Sequence, residues 1–220
     1  MYTLQIGSFL LNGQILLILA FGAMGWLAFR SYSNRRSLDK DFEPLAFNAF
    51  IIWFLIWKGS ILIFEPATTL QHPLTLLYYD GGLKGRWIAT AAAAIYLAYK
   101  IIKGKAPWQT ALALASVYVL GGTAAYQIGL LWFEPELWLF HLSYVMMALL
   151  ILLAFYLDKQ PGSWTSLLRK WVWGCIALAV ICFLNPERTQ LILSFSIQQM
   201  ILMLFGLVAF IFMSNLEKRE

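Results

Sequence analysis

The stretch from Leu137 to Leu157, LWLFHLSYVMMALLILLAFYL, contains no Asp, Glu, Lys or Arg. Wound as a helix rising 1.5 Å per residue, it covers the roughly 30 Å hydrocarbon core of a bilayer. In that solvent each backbone amide needs a partner within the chain, and a helix supplies one. Working outward, six further apolar runs recur near 7–29, 45–64, 87–102, 108–131, 168–184 and 191–213. The run at 87–102 is the shortest and carries Lys100 near its end. Composition agrees: 61% of residues are hydrophobic and 12% charged, with a mean hydropathy of +0.71. A soluble domain carries about 25% charged residues. The expectation is an all-α, polytopic membrane protein with seven transmembrane helices in a single domain over 1–220.

Basic residues fall between alternate runs. Arg30, Arg35, Arg36 and Lys40 follow the first, and Lys100, Lys103 and Lys105 follow the third. Lys159, Arg169 and Lys170 lie between the fifth and sixth, and Lys218 and Arg219 follow the last. These twelve are most of the 16 Lys and Arg. By the positive-inside rule their side is cytoplasmic, which places the N-terminus outside and the C-terminus inside. The net charge of +5 therefore faces anionic lipid headgroups. It does not point to nucleic acid, because no basic-aromatic RNA motif or zinc-finger spacing is present. The first run is too long, and too poor in basic residues at its start, for a signal peptide. Trp87, Trp108, Trp132, Trp138, Trp164 and Trp171 fall near span ends, as an interfacial belt requires. Ala91 to Ala94, and the group Gly121, Gly122, Ala124 and Ala125, are small enough to let helices approach closely.

Polar groups inside apolar spans are costly and mark candidate sites. Lys58 lies in the 45–64 run, with Glu65 seven residues on. It either snorkels to the interface or holds an anionic headgroup. His141, one turn into the 137–157 run, is either a hydrogen-bonded anchor or a proton carrier. Asp80-Gly81-Gly82 reads as a turn; its glycine amides, with Lys84 and Arg86 beside them, could also cradle a phosphate. His72 lies in the same loop. Two histidines without a carboxylate or thiolate at ligand spacing make a poor metal site, and no cofactor is expected. Asn12, Gln14, Gln127, Gln198 and Gln199 are candidate interhelical hydrogen bonders. Cys175 and Cys182 stand about 10.5 Å apart along one helix, too far for a disulfide between them. Lys58, Glu65, Asp80, Arg86, Gln127, His141, Glu187 and Arg188 all map toward the outer face, so a site here opens outward.

Several stretches together resemble the prolipoprotein diacylglyceryl transferase family of the bacterial plasma membrane. They are IGSFLLNGQILLILAFGAMGWLAFRS (6–31), WKGSILIF (57–64), HPLTLLYYDGGLKG (72–85) and SIQQMILMLFGLVAFIFM (196–213), with FHLSY (140–144) a looser match. The resemblance implies a seven-helix, multi-pass protein that handles phospholipid and a lipoprotein precursor at the outer leaflet. The family's histidine after the Asp-Gly-Gly turn falls at about Arg86, so any retained chemistry would be shared among the polar residues above. His141 would be the catalytic proton carrier. Lys58 and Arg86 would contact phosphate, Asp80, Gly81 and Gly82 would frame the headgroup, and Gln127 would line the same site. The family's phosphate-holding arginines are absent, since the matched positions read Gly122-Thr123 and Ala177. Its helix 1 tyrosine falls near Gln14. Bidentate arginines are strong phosphate clamps. The expectation is therefore a divergent relative that binds phospholipid or a lipoprotein segment without ordinary diacylglyceryl transfer. The alternatives are a non-enzymatic scaffold for another membrane protein, and a transporter with a break at Gly121-Gly122.

Overall fold

A computed structural model describes residues 3–6, 9–36, 42–71, 81–104, 107–158, 163–186, 189 and 194–218. The chain opens with strands β1 (Thr3–Ile6) and β2 (Phe9–Asn12). The helices follow: α1 (Gly13–Arg36), α2 (Phe42–Gly59), α3 (Ile61–Phe64), α4 (Pro66–Gln71), α5 (Gly82–Gly104) and α6 (Trp108–Phe133). After a 3-10 turn at Pro135–Leu137 come α7 (Trp138–Leu157), α8 (Trp164–Ile181), a second 3-10 turn at Cys182–Leu184, and α9 (Ile197–Glu217).

Among the described residues six helical stretches are long and apolar enough to cross a membrane: Gly13–Arg36, Pro44–Phe64, Trp108–Phe133, Pro135–Leu157, Trp164–Leu184 and Ile197–Glu217. The run expected at 87–102 lies within α5, which is 23 residues long but is not among these six; Arg86 and Lys100 dilute its apolar content. The chain is a helical protein as expected, and the bounds of its first span need one correction. The span placed at 7–29 starts only at Gly13, because β1 and β2 pair as an antiparallel hairpin, Thr3 opposite Asn12 and Ile6 opposite Phe9. Apolar residues on both strands continue the hydrophobicity of the helix and conceal the boundary.

The chain forms two compact units: 1–36 with 112–220, and 37–111. In the first, α1 and α6 run antiparallel through a seam of small residues. A Cβ on Gly121 would lie 2.6 Å from the Ala28 Cβ, and one on Gly25 would lie 2.8 Å from the Tyr118 carbonyl. The Tyr118 hydroxyl donates to the Gly22 carbonyl at 3.3 Å. Between membrane helices dispersion and close backbone approach stand in for the hydrophobic effect, so these glycines set the helix separation. The expected role of Gly121 and Gly122 is met, and α6 passes through them without a break. In the same unit α8 pairs with α9. The fully buried Gln199 donates to the Ala179 carbonyl at 2.9 Å. It also closes a capping box with Ser196 at the start of α9.

In the second unit α2 lies antiparallel to α5. Trp53 Nε1 donates to the Thr90 hydroxyl at 3.0 Å, and Trp57 and Ala89 are fully buried. Ser60 keeps a helical backbone, and α3 follows α2 directly. Gly82, with a φ of +58°, takes the left-handed turn that leads into α5, a conformation glycine adopts without a Cβ clash.

Candidate functional site

His141 sits in the first turn of α7 and is 1% exposed. Its position follows from a helix break. Pro135 disfavours helical backbone at the residue before it, and Glu134 leaves α6 with φ −129° and ψ 64°. The carboxylate then folds back over the start of α7. His141 Nε2 lies 3.1 Å from Glu134 Oε2, and His141 Nδ1 lies 2.7 Å from Gln127 Oε1 on α6. With an amide oxygen on Nδ1, that nitrogen carries a proton as donor. Nε2 faces the Glu134 carboxylate. The imidazole side chain is 2% exposed and the carboxylate 30%. A solvent-reachable acid is thus coupled to a buried imidazole and onward to a neutral amide. This geometry holds a proton and can move it across the ring. Phe140 packs edge-on against the imidazole with centroids 5.4 Å apart.

Two of the residues singled out in the sequence, His141 and Gln127, are therefore in direct contact. Glu134 was missed. Its signal is an acid immediately before a proline at a span boundary, where the chain must turn back.

The cationic candidates belong to the other unit. Lys58 is half-buried in the last turn of α2, its Nζ 6.0 Å from the centroid of the Trp57 ring. The helical backbone carries on past Ser60 to Phe64, and Glu65, seven residues after Lys58, is exposed. Arg86, half-buried in the first turns of α5, has a buried Nε without a hydrogen-bond partner among the described residues. Both cations lie at the same end of the α2–α5 pair. The Trp57 carbonyl accepts from the Gly81 amide at 3.3 Å and from the Ser60 hydroxyl at 2.7 Å. A Cβ on Gly81 would sit 1.6 Å from Ser60 Oγ, and one on Gly85 2.2 Å from it. Gly81 and Gly85 thus let α5 close onto Ser60, and the Gly81 amide is engaged inside the protein. Asp80 and His72 lie outside the described residues, as do Glu187 and Arg188.

Neither Cys175 nor Cys182 is in a disulfide, and both are buried. Among the described residues no three His, Cys, Asp or Glu side chains gather as a metal site would need.

No family model, curated protein or solved structure matches the chain.

Proposed function

We propose that this chain is a seven-span protein of the bacterial plasma membrane, N-terminus outside, that holds a phospholipid headgroup or a lipoprotein signal segment at the outer leaflet. The single observation carrying the reading is the coupling of buried His141 to the partly exposed Glu134 and to Gln127. It supplies a proton carrier near the external interface. The orientation rests on the bias of Lys and Arg between alternate spans, and α5 is then the seventh span. Within the 37–111 unit, taken by itself, Lys58 and Arg86 are the phosphate contacts, and the Asp80-Gly81-Gly82 turn frames the headgroup. The buried Nε of Arg86 favours this role, since a guanidinium donor removed from water gains from an anionic acceptor.

Ordinary diacylglyceryl transfer is not part of the proposal. Without paired arginines the site lacks the main electrostatic stabilisation of a departing phosphate, a loss on the order of three powers of ten in rate. Two experiments test the reading. In a strain depleted of its own prolipoprotein diacylglyceryl transferase, the gene is expected not to restore growth; thioether-lipidated lipoprotein would reverse that part. Lys58→Met is expected to reduce retention of phosphatidylglycerol by the purified protein at unchanged expression. Equal retention would remove Lys58 from the site.

A second reading, a non-enzymatic scaffold for another membrane protein, is favoured by the same histidine, because both of its ring nitrogens already have protein partners. Co-purification of one stoichiometric partner, together with loss of that partner on substitution at exposed helix faces, would select it.

A further inference from the structure

The opposite end of α7 carries a second polar cluster, about 25 Å along the helix from His141 at 1.5 Å per residue. Asp158 Oδ2 accepts from Lys170 Nζ at 2.5 Å and from the Ser166 hydroxyl at 2.5 Å. Lys170 Nζ also lies 2.6 Å from Ser166 Oγ. The lysine side chain is 10% exposed and the aspartate 13%. These groups line a crevice of about 440 Å³ between α7 and α8. Such a volume lies within the range of small-ligand sites.

Sequence spacing builds the crevice. On α7, Leu150, Ile151, Ala154 and Leu157 form one stripe; on α8, Ser166, Arg169, Lys170 and Trp173 form the facing one. Both follow the spacing that brings residues onto one helix face. The α7 wall is wholly aliphatic, and Trp173 continues it on α8. The polar end carries Arg169, 61% exposed, 3.2 Å from Glu217 of α9.

The Ser166–Lys170 distance by itself is that of a serine activated by a lysine. That chemistry does not apply here. An ammonium donating to the Asp158 carboxylate has no lone pair with which to take the hydroxyl proton. The trio is instead a neutralised, hydrogen-bonded floor. Arg169 remains as the cation that can turn to a ligand, because its partner Glu217 is 45% exposed and such surface pairs are weak. Phosphate offers the guanidinium two acceptors in one plane, a stronger match than an exposed carboxylate.

We propose that this crevice holds an anionic phospholipid of the leaflet at the Lys170 end, one acyl chain along Leu150, Ala154, Leu157 and Trp173, and its phosphate on Arg169. The charge and the apolar wall meet where a lipid's headgroup and chain meet. By the basic bias of this side of the chain, that leaflet is the cytoplasmic one, rich in anionic lipid.

The test uses the full chain, purified in detergent and examined by native mass spectrometry with phosphatidylglycerol or phosphatidylcholine of identical acyl chains. Phosphatidylglycerol is expected to be retained at least fivefold more. Ala154→Trp fills the crevice from an exposed position and, in a Lys58→Met background, is expected to abolish that excess. Arg169→Gln should reduce it at least threefold. Melting temperatures within a few degrees of the parent confirm that both variants fold. Equal retention of the two lipids, or full retention in Ala154→Trp, overturns the proposal. So does binding of glycerol phosphate alone as tight as that of the lipid, because the acyl wall would then have no part. A parent that dimerises, with Ala154→Trp breaking the dimer and no lipid preference, overturns it in favour of a second copy. The series is run in the parent and in Lys58→Met: loss of the excess with Ala154→Trp in both backgrounds assigns it to the crevice, whereas loss with Lys58→Met alone assigns it to the outer-leaflet site, so the two readings fail separately.

Discussion

Glu134 and His141 meet across a helix break, Oε2 to Nε2 at 3.1 Å, with the acid partly in solvent and the ring sealed from it. Glu134→Gln keeps the shape and offers an amide donor to Nε2. Its cost in thermal unfolding is expected to stay near 1 kcal/mol, typical of a side-chain hydrogen bond between membrane helices. Glu134→Leu leaves the ring nitrogen buried without a partner and should cost about 1–3 kcal/mol. Equal melting of the two variants would show that the carboxylate does not hold the ring.

The seam between α1 and α6 gives a steric prediction. A leucine at Gly121 must displace the Ala28 methyl, which a Cβ alone would approach to 2.6 Å. Overpacking of this kind costs about 1–3 kcal/mol. Gly104, with nothing within 4 Å of a built Cβ, is the control: Gly104→Ala should be neutral or slightly stabilising. Fluorescence-detected size exclusion after a heating series separates the two outcomes.

Ser60 and Gly85 should be energetically coupled. Gly85→Ala places a methyl 2.2 Å from Ser60 Oγ and should destabilise the α2–α5 pair. Ser60→Ala removes that oxygen, so the double variant should recover about 1 kcal/mol relative to additivity. Strict additivity of the unfolding free energies would mean that the two residues do not touch.

Gln199→Leu removes both the cap on Ser196 and the bond to the Ala179 carbonyl. A loss of about 1–2 kcal/mol is expected, each bond contributing roughly 0.5–1.5 kcal/mol. Gln198→Leu is the comparison, since Gln198 is exposed and should change little. Guanidinium-induced release of the α8–α9 pair, followed by cysteine labelling at Cys175, reports the difference.

The helical membrane architecture was legible because residues such as those from Leu142 to Leu157 leave no alternative environment. Gly121, Gly122 and Gln199 were legible for a similar reason: small and amide side chains inside spans have few uses other than close approach and hydrogen bonding. The hairpin before Gly13 was not. Leu10 and Leu11 are as apolar in a strand as in a helix, and hydropathy does not register the difference. At the candidate site His141 and Gln127 stood out one at a time. Their contact depends on two helices packing, and the Glu134 carboxylate joins them only because Pro135 reverses the backbone. The Asp158–Lys170 pair was hidden for another reason. Asp158 was not singled out in the sequence, and Lys170, at the edge of the run expected from 168, lies well inside α8 because the helix begins at Trp164.

Arg36 donates to the carbonyls of Phe155 and Tyr156, both at 3.2 Å, and to the carbonyl of Asp158. The last turn of α7 is thus closed by a side chain made 119 residues earlier. The clasp ties the end of α1 to the end of α7, and it can form only once both helices have been made, so it belongs to the finished bundle and not to any part of it.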